Sequence, residues 1–409
     1  MRYVTEELPG TGGRIKERTA DFRVTEIPLY PPSGEGDHVW MYVEKEGIGS
    51  LEAADRIARA LGRPGHRVGL AGLKDARAVT RQWMSLDGVD AEKVSRLHLE
   101  NVKILSVSRH RNKLKIGHLA GNRFEVWIRG CAAGAGGAKE RAERILKALE
   151  ACGTANGFDR QRFGTRLDNH LLGRSLVLGE AKAFCDRFLG RPAANDSPRL
   201  AEARRLYDAG RLAEAEKRFV GCQDQLRVLR VLARTRDPGR AMRALEKRLA
   251  RLLVAATQAD LFNKVLERRF DTRGEVEAGD LAYVHKSGAV FLVERVEAEA
   301  PRAARLEISP SGPIVGHRVT LAQGRPGEIE RAVLAESGLG PEKFERVKAL
   351  RLRGGRRPLR MPLADIEVEG IEQDLIVRFT LPPGVYATII LAEITKTETG
   401  VAWSGEARP

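Results

Sequence analysis

The sequence predicts an α+β fold: a sheet flanked by helices, built from both chain ends and interrupted by a long insertion. Three observations carry that expectation. Strand-period and helix-period segments alternate over the first 150 residues. The stretch from about 199 to 269 is rich in Ala, Leu, Arg and Glu and helical in period. Apolar, β-rich runs then return near the end and need a sheet to join, which the first segment supplies. At 409 residues the chain also exceeds one ordinary core, so two domains are expected.

Taken in order, segment 38–45 (HVWMYVEK) alternates Val39, Met41 and Val43 with Trp40 and Tyr42, which predicts a strand. Segment 51–61 spaces Leu51, Ala54, Ile57, Ala58 and Leu61 as one face of a helix, and Gly62 is placed to stop it. Segment 123–129 reads as a further strand with Phe124, Val126 and Ile128 on one side. A Gly/Ala-rich loop at 130–138 and an amphipathic helix at 139–151 follow. The run RRLYDAGRLAEAEKRF (204–219) looks like one helix–turn–helix unit without a second copy, and Pro198 and Pro238–Gly239 read as breaks. Short strands bounded by Gly and Pro are expected over 280–321. At 375–394 β-rich runs lie on either side of a turn at Pro382–Pro383–Gly384.

Charge narrows the partners. Lys plus Arg total 70 against 55 Asp plus Glu, a net +15. A surface that positive suits nucleic acid or an anionic membrane, and the alternative is a heavily charged, heat-resistant surface. No stretch has the roughly 18 apolar residues of a spanning helix, and the N-terminal residues lack the apolar core of a secretory signal, so the expectation is a cytoplasmic protein without membrane contact. Two segments are one-sided. Residues 101–124 carry Lys103, Arg109, Arg111, Lys113, Lys115 and Arg123 without an acid, and residues 346–360 carry a comparable run from Arg346 to Arg360. Either is a solvated face or a grip on phosphates. Cys131, Cys152, Cys185 and Cys222 form no CxxC pair and are expected to be reduced and structural.

Familiar cofactor motifs fail. Gly10–Thr11–Gly12–Gly13 lacks the third glycine of a dinucleotide fingerprint, and Asp75 follows Lys74 where a phosphate loop needs a hydroxyl. No HExxH is present, and no glycine-rich loop follows a first strand as an adenosyl-methionine-dependent methyltransferase would need. Segment 71–83 (AGLKDARAVTRQW) is the most informative. It reads as a turn presenting a carboxylate beside cations, with Lys74, Arg77 and Arg81 expected to hold Asp75 ionised. From these residues alone, a surface turn with an ordinary ion pair competes with a catalytic carboxylate.

That segment resembles the motif GxKDxxAxTxQ around the catalytic Asp of the TruD family of tRNA pseudouridine synthases, here Gly72, Lys74, Asp75, Ala78, Thr80 and Gln82. Other blocks resemble the same family in order: KERTADFRVTEI (16–27) with GEGDHVWMYVEK (34–45), HRNKLKIGHLAGNRF (110–124), NGFDRQRFG (156–164), DLFNKVLERR (260–269), ISPSGPIVG (308–316) and LPPGVYATIILAEI (381–394). Departures are Gly157, where the family usually has an aromatic, Asp159 for a common Gly, and Ala76 for a basic residue. Segment 199–245 matches no block.

The resemblance implies a catalytic pseudouridine synthase domain at 1–155 plus 360–409, with a mixed, mainly antiparallel sheet flanked by helices, interrupted at 156–359 by the family's TRUD insertion domain of α/β character. It implies isomerisation of a tRNA uridine, uridine-13 of the D arm, without cofactor or metal and without an obligate protein partner. Asp75 would initiate the reaction by attacking ribose or uracil or by abstracting a proton, with Lys16 as its partner. Phe124 would stack on the target base, Asn122 would hydrogen-bond the uracil or the Asp, and Phe22 and Tyr386 match further aromatic positions. The two basic segments, with Arg160, Arg162 and Arg166, would grip the RNA backbone, so binding should weaken with salt. The alternative reading is a non-catalytic RNA-binding protein on the same fold.

Overall fold

Alternation at a period of two is what the strands at both chain ends share, and the computed structural model, which describes residues 2–132 and 134–397, gathers them into one sheet. Its main strands are β1 (Phe22–Pro28), β2 (His38–Glu46), β3 (Val79–Asp87), β4 (Val102–His110), β5 (Leu119–Arg129), β6 (Ala364–Ile371) and β7 (Asp374–Leu381). Their order is β6-β7-β5-β1-β3-β2-β4, so the returning strands join the sheet through β5. Only β1 and β3 run parallel among these pairs. The sheet is thus mixed and mainly antiparallel, as expected.

One face is apolar because every second residue is. Phe22 and Val24 on β1, Val39, Met41 and Val43 on β2, Met84 and Leu86 on β3, Phe124, Val126 and Ile128 on β5, and Val377, Phe379 and Leu381 on β7 are all buried. Helix α1 (Ser50–Ala60) covers β2 and β3 with Ala53, Ala54, Ile57 and Ala58. Helices α2 (Gly134–Cys152) and α3 (Ala387–Thr395) cover β5 and β7 with Ile145, Leu149, Ile390 and Ile394. Two separate cores therefore meet along the parallel pair β1–β3. The other face of the sheet carries charged side chains paired across the strands.

The chain divides into two units: residues 2–154 with the described residues from Met361 on, and Ala155–Arg360. The second packs helices Asn169–Leu178, Ala181–Leu189, Gln223–Thr235 and Lys247–Arg268 around Phe184, Phe219, Leu253 and Phe344. It adds an antiparallel sheet in the order Val290–Leu292, Leu281–Val284, Ile308–Ile314, Gly355–Pro358. The helix–turn–helix of 204–219 is there, as Pro198–Asp208 and Leu212–Arg218.

Three expectations change. The residues after Pro382–Pro383–Gly384 form α3 and not a second strand. All but Thr388 and Ala392 of this helix are buried, and apolar runs of that length do not distinguish a buried helix from a strand. Helix α2 starts at Gly134, inside the expected loop, where the small Ala138 and Ala142 let it lie close to the sheet; Ala133 lies outside the described residues. Pro198 and Pro238 do stand at breaks between helices, and each opens the next helix after a capping Ser197 or Asp237, because a proline at the first helical position forfeits no hydrogen bond. Within 280–321 a helix, Val296–Ala304, separates the short strands. All four cysteines are free, and burial pushes the Cys131 thiol to about 11 and that of Cys185 to about 12.

Candidate active site

Ala78, Thr80 and Gln82 recur at a spacing of two because they enter and line the inward side of β3, and each is fully buried. They fix the loop that precedes them. Gln82 Nε2 donates to the Gly72 carbonyl at 3.3 Å. Ser50, first residue of α1, donates to Gln82 Oε1 at 2.6 Å and accepts the Lys74 N–H at 2.8 Å. Lys74 Nζ turns away from its neighbour and pairs with Glu26 at 2.8 Å, while Glu26 also accepts the Trp83 N–H at 3.2 Å. From the other side Gly117 N donates to the Ala71 carbonyl at 2.8 Å. The backbone at residues 71–75 is thus held from several directions.

Asp75 closes that loop, with its side chain 38% exposed. Lys16 Nζ contacts its Oδ2 at 2.8 Å and lies 4.1 Å from the centre of the Phe22 ring. Lys16 has φ +58°, a left-handed conformation that costs a non-glycine residue roughly 1 kcal/mol and tends to persist where surrounding contacts over-determine it. The Phe22 ring meets Phe124 edge-on at 6.1 Å, and Phe124 stacks on Phe379 at 5.5 Å. Asp75, Lys16, Phe22 and Phe124 therefore form one continuous set of contacts. Phe124 is only 8% exposed, so most of its ring belongs to the core.

Asn122 stands two residues before Phe124 on the same side of β5, across from Glu26 on β1 and Leu381 on β7. That cross-strand neighbour Glu26 pairs with Lys74, beside Asp75 in sequence. The Asn122 amide oxygen is buried and has no hydrogen-bond partner among the described residues, nor has the Thr80 hydroxyl. Buried polar atoms are nearly always satisfied, so a donor is owed at this position. Tyr386 is half-buried at the N-cap of α3, beyond the end of β7 and the positive-φ Gly384.

Some expected roles are reassigned. Lys74 and Arg81 do not hold the Asp75 carboxylate. Lys74 is bound to Glu26, and Arg81 points to the opposite face of the sheet, where it pairs with Glu44 at 2.7 Å. Of the basic run 346–360, Arg356 is tied to Glu330 and Arg360 is buried against the Ala303 carbonyl. Arg166 donates to the carbonyls of Arg187 and Arg191. These arginines build the second unit rather than meet solvent, whereas Arg346, Arg351 and Arg353 are exposed. In the run 101–124, Arg111 and Arg123 face Glu35 and Glu367, while Lys115 is exposed.

Lys45 and Glu26 escaped the sequence reading. Both carried a signal, since each continues an apolar row in phase: Val39, Met41, Val43, Lys45 on β2, and Phe22, Val24, Glu26 on β1. Lys45 is 1% exposed, and burial pushes its ammonium down to about 8 against the opposing pull of Asp75. A charge at a core phase is held there by partners or not at all.

The contacts meet known proteins at this point. The family model for tRNA pseudouridine synthase D (TruD) matches residues 1–394. The chain is 45% identical to tRNA pseudouridine synthase D of Geobacter metallireducens, over 97% of this chain and 98% of the relative. It is 37% identical to the Thermus thermophilus protein of that name, over 97% and 92%. A crystal structure from Methanosarcina mazei bearing the TruD name superimposes with a TM-score of 0.80 at 25% identity, over 97% of this chain and 96% of that one. With one family matched from end to end in both sequence and fold, the chain belongs to the tRNA pseudouridine synthase D (TruD) family.

Proposed function

We propose that this tRNA pseudouridine synthase isomerises uridine-13 of the tRNA D arm, with Asp75 as its catalytic carboxylate and no cofactor. The unit of residues 2–154 and 361 onward is the catalytic domain, and 155–360 is the family's insertion domain. The observation that carries this reading is the Lys16–Asp75 pair set over Phe22, edge-on to Phe124. The isomerisation is balanced without a second reactant. The bond from N1 of uracil to C1′ of the ribose breaks, the base turns, C5 bonds to C1′, and the C5 proton is lost while N1 regains one. An anion fixed from its backbone and by one ammonium suits the initiating step, because positioning supplies much of the rate at such sites.

The target uridine must leave its stack to reach Asp75. That costs a few kcal/mol, and contacts to the free base offset it. Phe124 offers the edge of an aromatic stack backed by the buried Phe22, with Tyr386 as a further aromatic surface. The unsatisfied Asn122 oxygen suits the N3–H of uracil. Lys113 and Lys115, on the loop bonded to Ala71 through Gly117, are placed to meet phosphates. Among the described residues no helix is long and apolar enough to cross a membrane, and the cytoplasm is where such a substrate is met.

Incubation with unmodified tRNA followed by mapping of pseudouridine tests the reading. Wild-type protein should modify position 13, and Asp75→Asn should lower turnover by about 10⁴-fold or more while tRNA binding persists. Pseudouridine formed at an undiminished rate by Asp75→Asn would refute the assignment. Modification only at another position would refute the choice of uridine.

A further inference from the structure

We propose that Lys45 is a positioning residue for the reaction: through the Asp75 carbonyl it fixes the backbone from which the catalytic carboxylate projects. The inference rests on the assignment of Asp75 above. Lys45 is the last inward residue of β2, opposite Thr80 on β3 and Val102 on β4. Its Nζ donates to the carbonyl of Asp75 at 2.8 Å and to that of Ile48 at 2.7 Å. One ammonium thus ties the catalytic loop to the turn that launches α1. The same turn supplies Ser50, which holds the Lys74 N–H. The Lys74 N–H and the Asp75 carbonyl, at the two ends of the Lys74–Asp75 pair, are therefore both held by the segment of residues 45–50.

Stability does not explain this choice of residue. A lysine 1% exposed has given up nearly all its hydration, and the partners of its Nζ are two neutral carbonyls rather than a carboxylate. A buried ammonium without a carboxylate partner costs more than a neutral side chain of similar volume. A methionine would continue the row of Val39, Met41 and Val43 and fill the same space. What it would not do is restrain the Asp75 carbonyl. The charged groups that bear on Lys45 are Asp75 and Lys74; Lys16 and Glu26 act on it through those two. Lys45 thus holds the backbone of Asp75 while Lys16 meets its carboxylate.

The test compares wild type, Lys45→Met and Lys45→Gln in steady-state pseudouridine formation on unmodified tRNA, with thermal denaturation in parallel. Lys45→Met should lower kcat about 10–100-fold, the usual effect of a misplaced reacting group, with KM within threefold and a melting temperature unchanged or raised. Lys45→Gln keeps amide N–H donors without the charge and should fall between the two. A folded Lys45→Met enzyme with kcat within twofold of wild type overturns the proposal. So does a failure of both variants to fold, which would make Lys45 structural only. Absence of product from the wild-type enzyme would instead sink the assignment of Asp75 and its reaction, a separable result.

Discussion

The two faces of the central sheet use the same chemistry to opposite ends. On the outer face Arg81 pairs with Glu44 at 2.7 Å, Arg378 with Glu125 at 2.7 Å and Arg123 with Glu367 at 2.6 Å, all reaching solvent. On the inner face Lys74 meets Glu26 at 2.8 Å with both side chains at 6% exposure or less, and Lys45 is buried against carbonyls. Outer pairs are screened and individually weak. Inner charges are expensive to bury, so each must be satisfied, and once satisfied it holds its neighbours in one arrangement. The inner polar groups cluster where the two cores meet along the parallel pair β1–β3, and that boundary is where Asp75 sits. The difference teaches where to look: the same residue types are tied to specific partners where burial makes them costly.

Breaking the inner pair should give the largest effect. Glu26→Gln leaves the Lys74 ammonium buried without a counter-charge, and loss of one partner from such a pair typically destabilises by about 3–5 kcal/mol. Urea denaturation should show the midpoint falling with little change in slope. Turnover should fall as well, because Lys74 adjoins Asp75. A loss below about 1 kcal/mol would mean that the inner pair behaves like the outer ones, and the contrast would vanish.

A second, intermediate effect follows from the Lys45 ammonium, which burial lowers from 10.5 to about 8. Between those values the unfolded chain holds the proton and the folded chain has released it. Stability therefore rises with pH through that window, at a slope set by the difference in bound protons. The full gain is on the order of 3 kcal/mol. It should show as wild type gaining on Lys45→Met between pH 7.5 and 10.5, since groups common to both proteins cancel. A pH-independent difference would mean that the Lys45 amine is hydrated in the folded protein.

Much of this contrast is written in the sequence, and the rest is not, for identifiable reasons. The strands 38–45 and 123–129 and the helix 51–61 are legible because one face of each is apolar and the other polar, so period and burial agree. The segment 387–395 is not, because a short helix buried over most of its surface shows no clear period. Asp75 and Lys16 are 59 positions apart, and only the sheet brings them to 2.8 Å. Resemblance to a family, not spacing, suggested that they pair. Arg81 and Lys74 misled for a simple reason. Neighbours in sequence on a strand point to opposite faces, and a lysine beside an aspartate in a loop has the whole reach of its side chain in which to find another partner. Lys45 was legible in principle, since Val39, Met41 and Val43 set a phase that puts position 45 inside. A charge at such a phase is a stronger sign of an engaged residue than a run of charges, as the buried Arg356 and Arg360 show.

The smallest effect belongs to the outer face and sharpens the comparison most. Arg81→Ala removes a guanidinium 46% exposed from a carboxylate 24% exposed, and a pair of that kind contributes about 0.2–1 kcal/mol. Glu44 is left near water rather than stranded, so no desolvation penalty accompanies the loss. Arg81 lies between Thr80 and Gln82, whose side chains line the site, yet its own projects through the other side of the sheet. Pseudouridine formation by Arg81→Ala should thus stay within twofold of wild type at saturating tRNA, and the stability change should shrink further in molar salt. A large fall in kcat would place Arg81 in the field of Asp75 after all. The sheet would then fail to separate its two sets of charges, and proximity in sequence, not the side of the strand, would decide which cations serve the reaction.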